Sequence, residues 1–575
     1  MTRQTSPTLS VVLTGSGGAG VMTAGQTLLD AVTGSGLYGL MTRSTGPQIR
    51  GGEAAAMLRF GTEPVLCHGD RFDVLVAFDF ENLQRFAAEI PMDASGLILA
   101  DPAAGEPPEF LLKTGARIAH APFAKLAKTV PGGRVSMVAL GALAKLIGLP
   151  EEAIVGAVAK SVGKKKPEAI AASERGVLAG AAAAVDIAPA ARLPAPAPGA
   201  RARWSLTGNE ATGLGAIKGG VRFVAGYPIT PATEILEWMA PALQKTGGVL
   251  LQAEDELASI NMIIGGSFGG VPSLTATSGP GLSLMSESLG LAVASETPVV
   301  VVDVMRSGPS TGIATKSEQS DLNIAVYGLH GDAPHVVVAP LDIGDCVETA
   351  QWAVHLAESL QTPVIMLSDQ AMGQARAVID KPADAHFGGA GRMTWANAGE
   401  PYARYALTES GVSAMALPGV AGGQYTADGL THTVRGTPSS QASDHIDQLD
   451  KRRRKIENFD YGAHWAEIDG DGDTVIVTWG SVSLPVREAV AAARAEGRRI
   501  KIVALRLISP PQPARLAAEL AGAKRVLIFE QNHSGQFWRY LRAHCDLPAD
   551  VTPVYRSGPL PFRPGEIRAH LMKDA

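Results

Sequence analysis

The sequence predicts a multidomain α/β protein built on parallel sheets. Three observations carry that prediction. Short apolar β-type runs alternate with helical patterns along most of the chain, the signature of parallel strands covered by helices. Several of those runs end in Gly- or Pro-containing turns that open a helix. The chain has 575 residues, too many for one hydrophobic core, so three or four domains are expected.

The elements follow in order. Leu9–Leu13 is a short apolar strand, Gly15–Gly20 a glycine loop, and Val21–Val32 a helix. Val74–Phe78 and Leu97–Leu99 read as further strands, and Ser136–Ile147 as an apolar helix. Residues 187–203 alternate Ala and Pro, which gives an extended, semi-rigid linker. It closes a first α/β domain at residues 1–186. The alternation resumes with strand Val221–Ala225, a helix over Pro231–Ala240, strand Val249–Gln252 and a helix opening at Glu256. Val299–Val304, four valines followed by Asp and Val, reads as a buried central strand. A second domain then spans 204–382. Residues 383–465 are rich in Gly, Thr and polar side chains and read as a loop-rich connection. A third domain at 466–575 carries strand Val475–Thr478, a helix at 484–495, and strands Ile502–Ala504 and Val526–Glu530.

Composition narrows the function classes. Hydrophobic residues are 46% and charged residues 18%, with a formal net charge of −6. That is a packed enzyme-like chain with no basic stripe for nucleic acid. The one basic run, Lys451–Lys455, has acidic neighbours and reads as a solvated helix face. No segment has the length of a transmembrane span. Val11–Leu13 running into the glycine loop reads as a buried strand rather than a signal peptide, which predicts a cytoplasmic protein. Cys67, Cys346 and Cys545 share no metal-ligand spacing, so neither a disulfide framework nor a four-cysteine iron–sulfur cluster of this chain alone is expected.

Five motifs could carry chemistry. Gly15-x-Gly17-x-x-Gly20 suits an anion at a helix start. An NAD site needs an acid about 20 residues on, and Met41–Pro47 holds none. Arg43 would suit an NADP-type or coenzyme A phosphate, and Ser44–Gly52 is a second glycine-rich polar loop. In Gly226–Pro231, Thr230 reads as an N-cap and Pro231 as the first helical residue, a helix start whose N–H groups and Thr hydroxyl suit a substrate carboxylate. Glu254, Asp255 and Glu256 straddle a strand end and a helix start, either compensating the dipole or turning one carboxylate inward for proton handling. Thr277–Gly281 allows close backbone approach to a flat or anionic group. Arg306 follows the central strand and points to the ligand crevice of an open sheet, where it would pair with a carboxylate. Gly470-Asp471-Gly472 begins like a thiamine diphosphate magnesium motif but lacks an Asn roughly 25–30 residues on, and reads as a turn.

Taken together, Gly226–Pro231, Glu254–Glu256, Thr275–Met285 and Arg306–Thr311 resemble the α subunit of the 2-oxoacid:ferredoxin oxidoreductases. Residues 9–180 resemble its γ subunit, and 474–575 resemble the transketolase C-terminal-like domain that follows a transketolase-like pyrimidine-binding domain. A fused γ–α chain resembles the two-subunit 2-oxoglutarate members. The resemblance implies half of a thiamine diphosphate site, with the Mg ion and a [4Fe-4S] cluster in a β-subunit partner and a dimer of heterodimers as the assembly. It implies Glu256 as the carboxylate on the aminopyrimidine, and Pro228, Ile229, Ser278, Gly279 and Gly281 packed on the cofactor. It implies Thr230 and Arg306, with Tyr227 beside them, holding the carboxylate that leaves as CO₂. Electrons would pass through the partner's cluster to ferredoxin, and coenzyme A would take the acyl group. Arg43, Ser44, Gly46, Pro47 and Arg50 are candidates for seating coenzyme A. Pyruvate and branched or aryl 2-oxo acids stand as alternative substrates. Two other function classes also fit the chain: an NADP-dependent oxidoreductase using the N-terminal loop, and a non-catalytic regulatory subunit that completes a partner's site.

Overall fold

The computed structural model describes residues 8–46, 52–81, 83–162, 167–196, 203–387, 391–396 and 401–573. The chain forms two units. The first takes the described residues up to Leu206, together with Gln374–Lys381 and Phe562–Met572. The second takes Thr207–Gly373, most of the chain from Pro382 to Pro561, and Lys573.

An eight-stranded sheet organises the first unit. Its parallel half is Thr8–Ser16, Val74–Ala77, Leu97–Ala100 and Arg117–His120, in that order. On the other side of Thr8–Ser16 the pairing turns antiparallel: Glu53–Gly61 comes first, then Tyr38–Thr45. The sequence predicts a glycine-rich polar loop over Ser44–Gly52; Ser44 and Thr45 instead end a strand. The reason lies in Glu53–Gly61 itself. It reads Glu-Ala-Ala-Ala-Met-Leu-Arg-Phe-Gly and is buried throughout, so strong helix formers sit in a strand that tertiary burial selects.

The second unit contains two sheets. The larger has seven strands in the order Leu507–Ser509, Val336–Val338, Pro363–Asp369, Val299–Met305, Ser273–Thr277, Phe223–Gly226 and Val249–Gln252. All neighbours are parallel except the pair Val336–Val338 with Leu507–Ser509. Val299–Met305 is central and fully buried, as its valines predict. The smaller sheet has the order Ala466–Asp469, Ile500–Leu505, Thr474–Trp479, Arg525–Glu530 and Val551–Tyr555, with only the first pair antiparallel. Gly470–Gly472 connects its first two strands in sequence. The predicted α/β class with parallel sheets is therefore what the chain adopts.

Residues 383–465 hold more structure than their composition suggests. Ala442–Glu457 is a 16-residue helix. The basic run on it is not a solvated face. Lys451 and Lys455 are buried, and both ammonium groups reach the buried Glu296, at 2.5 and 2.9 Å. Arg453 is the member of the run that points outward. Spacing by four puts Lys451 and Lys455 on one face, and a carboxylate 155 residues earlier in the chain lets that face go inward. Among the described residues no helix is long and apolar enough to cross a membrane.

Candidate active site

Four adjacent parallel strands bring the sequence motifs together. In space they run Val249–Gln252, Phe223–Gly226, Ser273–Thr277 and Val299–Met305. In the chain, Phe223–Gly226 leads to Val249–Gln252 on one side, and the next strand crosses back to the other side. The order thus reverses between Phe223–Gly226 and Ser273–Thr277. Loops at the carboxyl ends of strands flanking such a reversal diverge and leave a crevice. Gly226–Pro231, Glu256, Ser278–Gly281 and Arg306 all follow these ends.

The three acids after Gln252 divide their work. Asp255 caps the helix Glu256–Phe268, its Oδ1 accepting the Ala258 N–H at 2.7 Å. Glu254 and Asp255 are exposed, whereas Glu256 is only 6% exposed. The Glu256 side chain lies against Gly281. A Cβ at position 281 would sit 2.9 Å from Glu256 Oε1, 2.8 Å from its Cγ and 2.0 Å from Thr277 Oγ1. No donor among the described residues bonds the Glu256 carboxylate. Close by in the chain, the Ser278 hydroxyl is fully buried and also finds no partner. Gly281→Ala is therefore expected to cost about 1–3 kcal/mol of stability through overpacking, and adding Thr277→Ala should restore part of it. Thermal melts of the two variants check this; a single variant as stable as the parent would show that the contact relaxes freely.

Arg306 reaches across the crevice. Its Nη1 donates to the Thr230 carbonyl at 2.6 Å, while its Nε is buried without a partner. Thr230 and Arg306 thus meet, but through the main chain. Thr230 is not the N-cap that the sequence suggested. The helix runs Thr233–Lys245, and the Ile229 carbonyl first accepts the N–H groups of Ala232 and Thr233 in a preceding turn. The Thr230–Pro231 peptide is cis. Asn209 Nδ2 donates to the Pro231 carbonyl at 3.0 Å and helps hold this turn. Tyr227, Pro228 and Thr230 are exposed, and Ile229 is half-buried.

Two acids that the sequence reading passed over stand beside Arg306. Asp303 lies inside the central strand and is fully buried, and Asp321 lies in the following segment. Their carboxyl groups act on each other, and both Asp303 oxygens and Asp321 Oδ2 are buried without a hydrogen-bond partner. Burial pushes Asp303 well above the usual carboxylate range, and Asp321 adds to that. Asp321 is pushed up to about 6, chiefly by burial and against the pull of Ser320 and Arg306. Burial also lowers Arg306, opposed by the two acids. The signal was in the sequence: an acid that follows four consecutive valines has to be accounted for once the strand is buried. A cavity of about 590 Å³ opens here, lined on one side by Gly279, Arg306 and Asp321 and on the other by Asn532, His533 and Gln536. Gln536 ties the two sides, donating to the Ser320 carbonyl at 2.9 Å and accepting the Asn323 N–H at 2.9 Å.

The remaining candidates lie in the first unit. The glycine loop is anchored by Asp79, whose Oδ2 accepts both the N–H and the hydroxyl of Ser16. Arg43 is exposed at the end of a strand and Ser44 is buried beside it. Gly46 faces the Glu53 carboxylate, which pairs with Arg85 at 2.9 Å. Pro47 and Arg50 fall outside the described residues.

Residues 10–183 match the family described as pyruvate ferredoxin/flavodoxin oxidoreductase. Residues 214–451 match its thiamine diphosphate-binding family. The 2-oxoglutarate synthase subunit KorA of Methanothermobacter marburgensis is 35% identical over 378 residues, which cover 64% of this chain and 98% of that protein. The chain belongs to the 2-oxoacid:ferredoxin oxidoreductase family. The family's fused arrangement is matched along the whole length by the α subunit of a Sulfolobus 2-oxoacid:ferredoxin oxidoreductase, 29% identical over 98% of this chain and 96% of that one. A solved member, the 2-oxoglutarate:ferredoxin oxidoreductase of Magnetococcus marinus with 2-oxoglutarate, coenzyme A and succinyl-CoA bound, is 36% identical. It superposes with a TM-score of 0.91 over 98% of this chain and 99% of that one.

Proposed function

We propose that this chain is the pyrimidine-binding half of a thiamine-dependent oxidoreductase that decarboxylates a 2-oxo acid, 2-oxoglutarate in preference to pyruvate. The products are acyl-CoA, CO₂ and reduced ferredoxin. The observation that carries the reading is Glu256: a buried carboxylate beside a position where only glycine fits, with no donor among the described residues to satisfy it. Burying an ionised carboxylate alone is costly, so a ligand donor is its natural partner. The residues fit an aminopyrimidine: Glu256 would hold a ring nitrogen, and Gly281, Ser278, Pro228 and Ile229 would line the space for the ring. Once bound, thiamine diphosphate supplies the carbon nucleophile and the electron sink. Glu256 holds the proton that tunes the aminopyrimidine. Arg306, braced on the Thr230 carbonyl, takes the carboxylate that will leave.

The rest of the machinery belongs to a β-type partner holding the diphosphate, Mg and [4Fe-4S] cluster. Val249, Leu251, Leu257, Met262 and Leu284 support a shared site. They are exposed apolar residues on the strand and helices that carry Glu256 and Gly281, and such a surface suits a protein partner. The first unit, with Arg43 and Ser44, is assigned to coenzyme A. Residues 204–382 are assigned to the pyrimidine-binding domain and 466–575 to the domain that follows it. A cytoplasmic dimer of heterodimers completes the reading.

Anaerobic, coenzyme A-dependent reduction of a low-potential acceptor tests it. Activity is expected only when the chain is co-expressed with its partner, and at least about tenfold higher kcat/KM is expected for 2-oxoglutarate than for pyruvate, a difference of about 1.4 kcal/mol. Inactivity of a cofactor-loaded complex toward every 2-oxo acid would sink the proposal. Arg306→Ala should raise KM for the oxo acid by about one to two decades, as loss of a charge-assisted bond worth roughly 1.5–3 kcal/mol predicts. An unchanged KM would remove Arg306 from substrate capture.

A further inference from the structure

The Asp303–Asp321 pair has no role in the reading above. Asp303 sits within the central strand with both carboxyl oxygens buried, and no protein N–H or hydroxyl donates to either. The acid that acts on it is Asp321, whose own Oδ2 is likewise buried without a partner. Two acceptors meeting without a donor have to share a proton between them. Asp321 is held in place from three sides. Its carboxyl lies over the Gly279 backbone, where a Cβ would be 2.6 Å from each oxygen. The Ser320 hydroxyl touches Asp321 Oδ1 at 3.1 Å and the Arg306 carbonyl at 2.8 Å. The side chain also lines the cavity with Arg306.

Few other charges bear on the pair. Asp303 and Arg306 come from the central strand and its end, and Glu318 comes from the segment before Asp321. Gly279, Ser320 and Gln536 add none, and His533 acts on Glu318. With one shared proton the pair carries a single negative charge beside the Arg306 guanidinium. An arriving carboxylate adds a second negative charge at that cation. Like charges raise proton affinity, so the least costly bound state has both carboxyls neutral and Arg306 paired with the ligand.

We propose that Asp303 and Asp321 form a one-proton carboxyl pair that positions Arg306 and couples capture of the 2-oxo acid's carboxylate to uptake of one proton from solvent. No covalent bond changes in this step; a solvent proton moves to Asp321 as Arg306 takes the ligand carboxylate. The inference rests on Arg306 being the carboxylate anchor. The group that titrates has a folded value of about 6 and rises further when the anion binds. Affinity is therefore highest below about pH 6 and falls as pH rises above it.

The test uses the chain in complex with its β-type partner at saturating coenzyme A. KM for 2-oxoglutarate is expected to rise about three- to tenfold between pH 6 and pH 8 in the parent, up to the tenfold per pH unit that one linked proton allows. Asp321→Asn should flatten that profile to within about twofold, because a neutral amide has no proton to gain. A loss of fold alone would not remove a pH slope while leaving turnover. Independently of any variant, calorimetry of the parent complex with N-oxalylglycine, an unreactive isostere, in two buffers of different ionisation heat should report proton uptake at pH 7. Equal slopes in parent and variant, or no proton taken up, would overturn the inference while leaving the proposed function standing. A complex that turns over no 2-oxo acid overturns both.

Discussion

Glu256→Ala is expected to leave the chain folded and to lower 2-oxo-acid turnover by about 10²–10⁴-fold, the range for loss of a positioned proton-handling group. The fold should survive because the carboxylate holds no other part of the protein. It sits at the first position of the helix Glu256–Phe268, and Asp255 rather than Glu256 supplies the cap. Removing it orphans no donor among the described residues and leaves open space beside Gly281. The cost falls on the ligand side, where a bound aminopyrimidine would lose the buried acid at this strand end. Glu256→Gln refines the test: it keeps the volume and removes the charge. Both variants should melt close to the parent, by circular dichroism of the complex, while kcat collapses. Retention of most of the turnover by either would return the role to Glu254, which is exposed, or deny this chain a catalytic part.

The site was more legible in the sequence than the packing behind it. Gly226–Pro231, Glu254–Glu256, Thr277–Gly281 and Arg306 could be found because each marks a strand end by a local rule: Gly or Pro in the turn, an acid at a helix start, Arg after an apolar run. Local rules do not separate Glu256 from Glu254; burial does, since Glu256 is buried and Glu254 exposed. What local rules miss is any residue whose state is set by a distant partner. Glu53–Gly61 looks helical by propensity and is a strand because the sheet buries it. Thr230 looks like a cap, yet its carbonyl goes to Arg306, 76 residues away. Asp303 is a lone acid among valines until the fold brings Asp321 to act on it. Lys451 and Lys455 look solvated until Glu296 is placed between them.

That last contact yields the largest expected stability effect. Glu296 is fully buried at φ +51°, and its oxygens accept Lys451 Nζ and Lys455 Nζ, while its own carbonyl accepts Arg404 Nη2 at 2.8 Å. Burial opposes its ionisation, but Lys451, Lys455 and Arg404 outweigh burial and hold it far below the usual carboxylate range. Burial lowers both lysines, Lys455 to about 7. Glu296→Gln keeps the shape and strands two buried ammonium groups, which should cost about 3–5 kcal/mol. In a domain of this size that is a fall of roughly 10 °C in Tm at pH 6. The pH dependence has a definite sign. A lysine with a lowered folded pKa is destabilising while charged, and the penalty is relieved as pH rises through that value. The variant's lysines are lowered further than the parent's, so its deficit should shrink from pH 6 to pH 9. Hydrogen exchange should place the loss in the helix Ala442–Glu457, which carries both lysines. Replacing all three by Leu and Met should recover much of it, since a buried ion cluster is worth little more than a well-packed apolar one. A Tm within about 2 °C of the parent at pH 6, or a deficit that does not change with pH, would mean that water reaches the cluster and that Glu296 is not what brings the basic helix face inward.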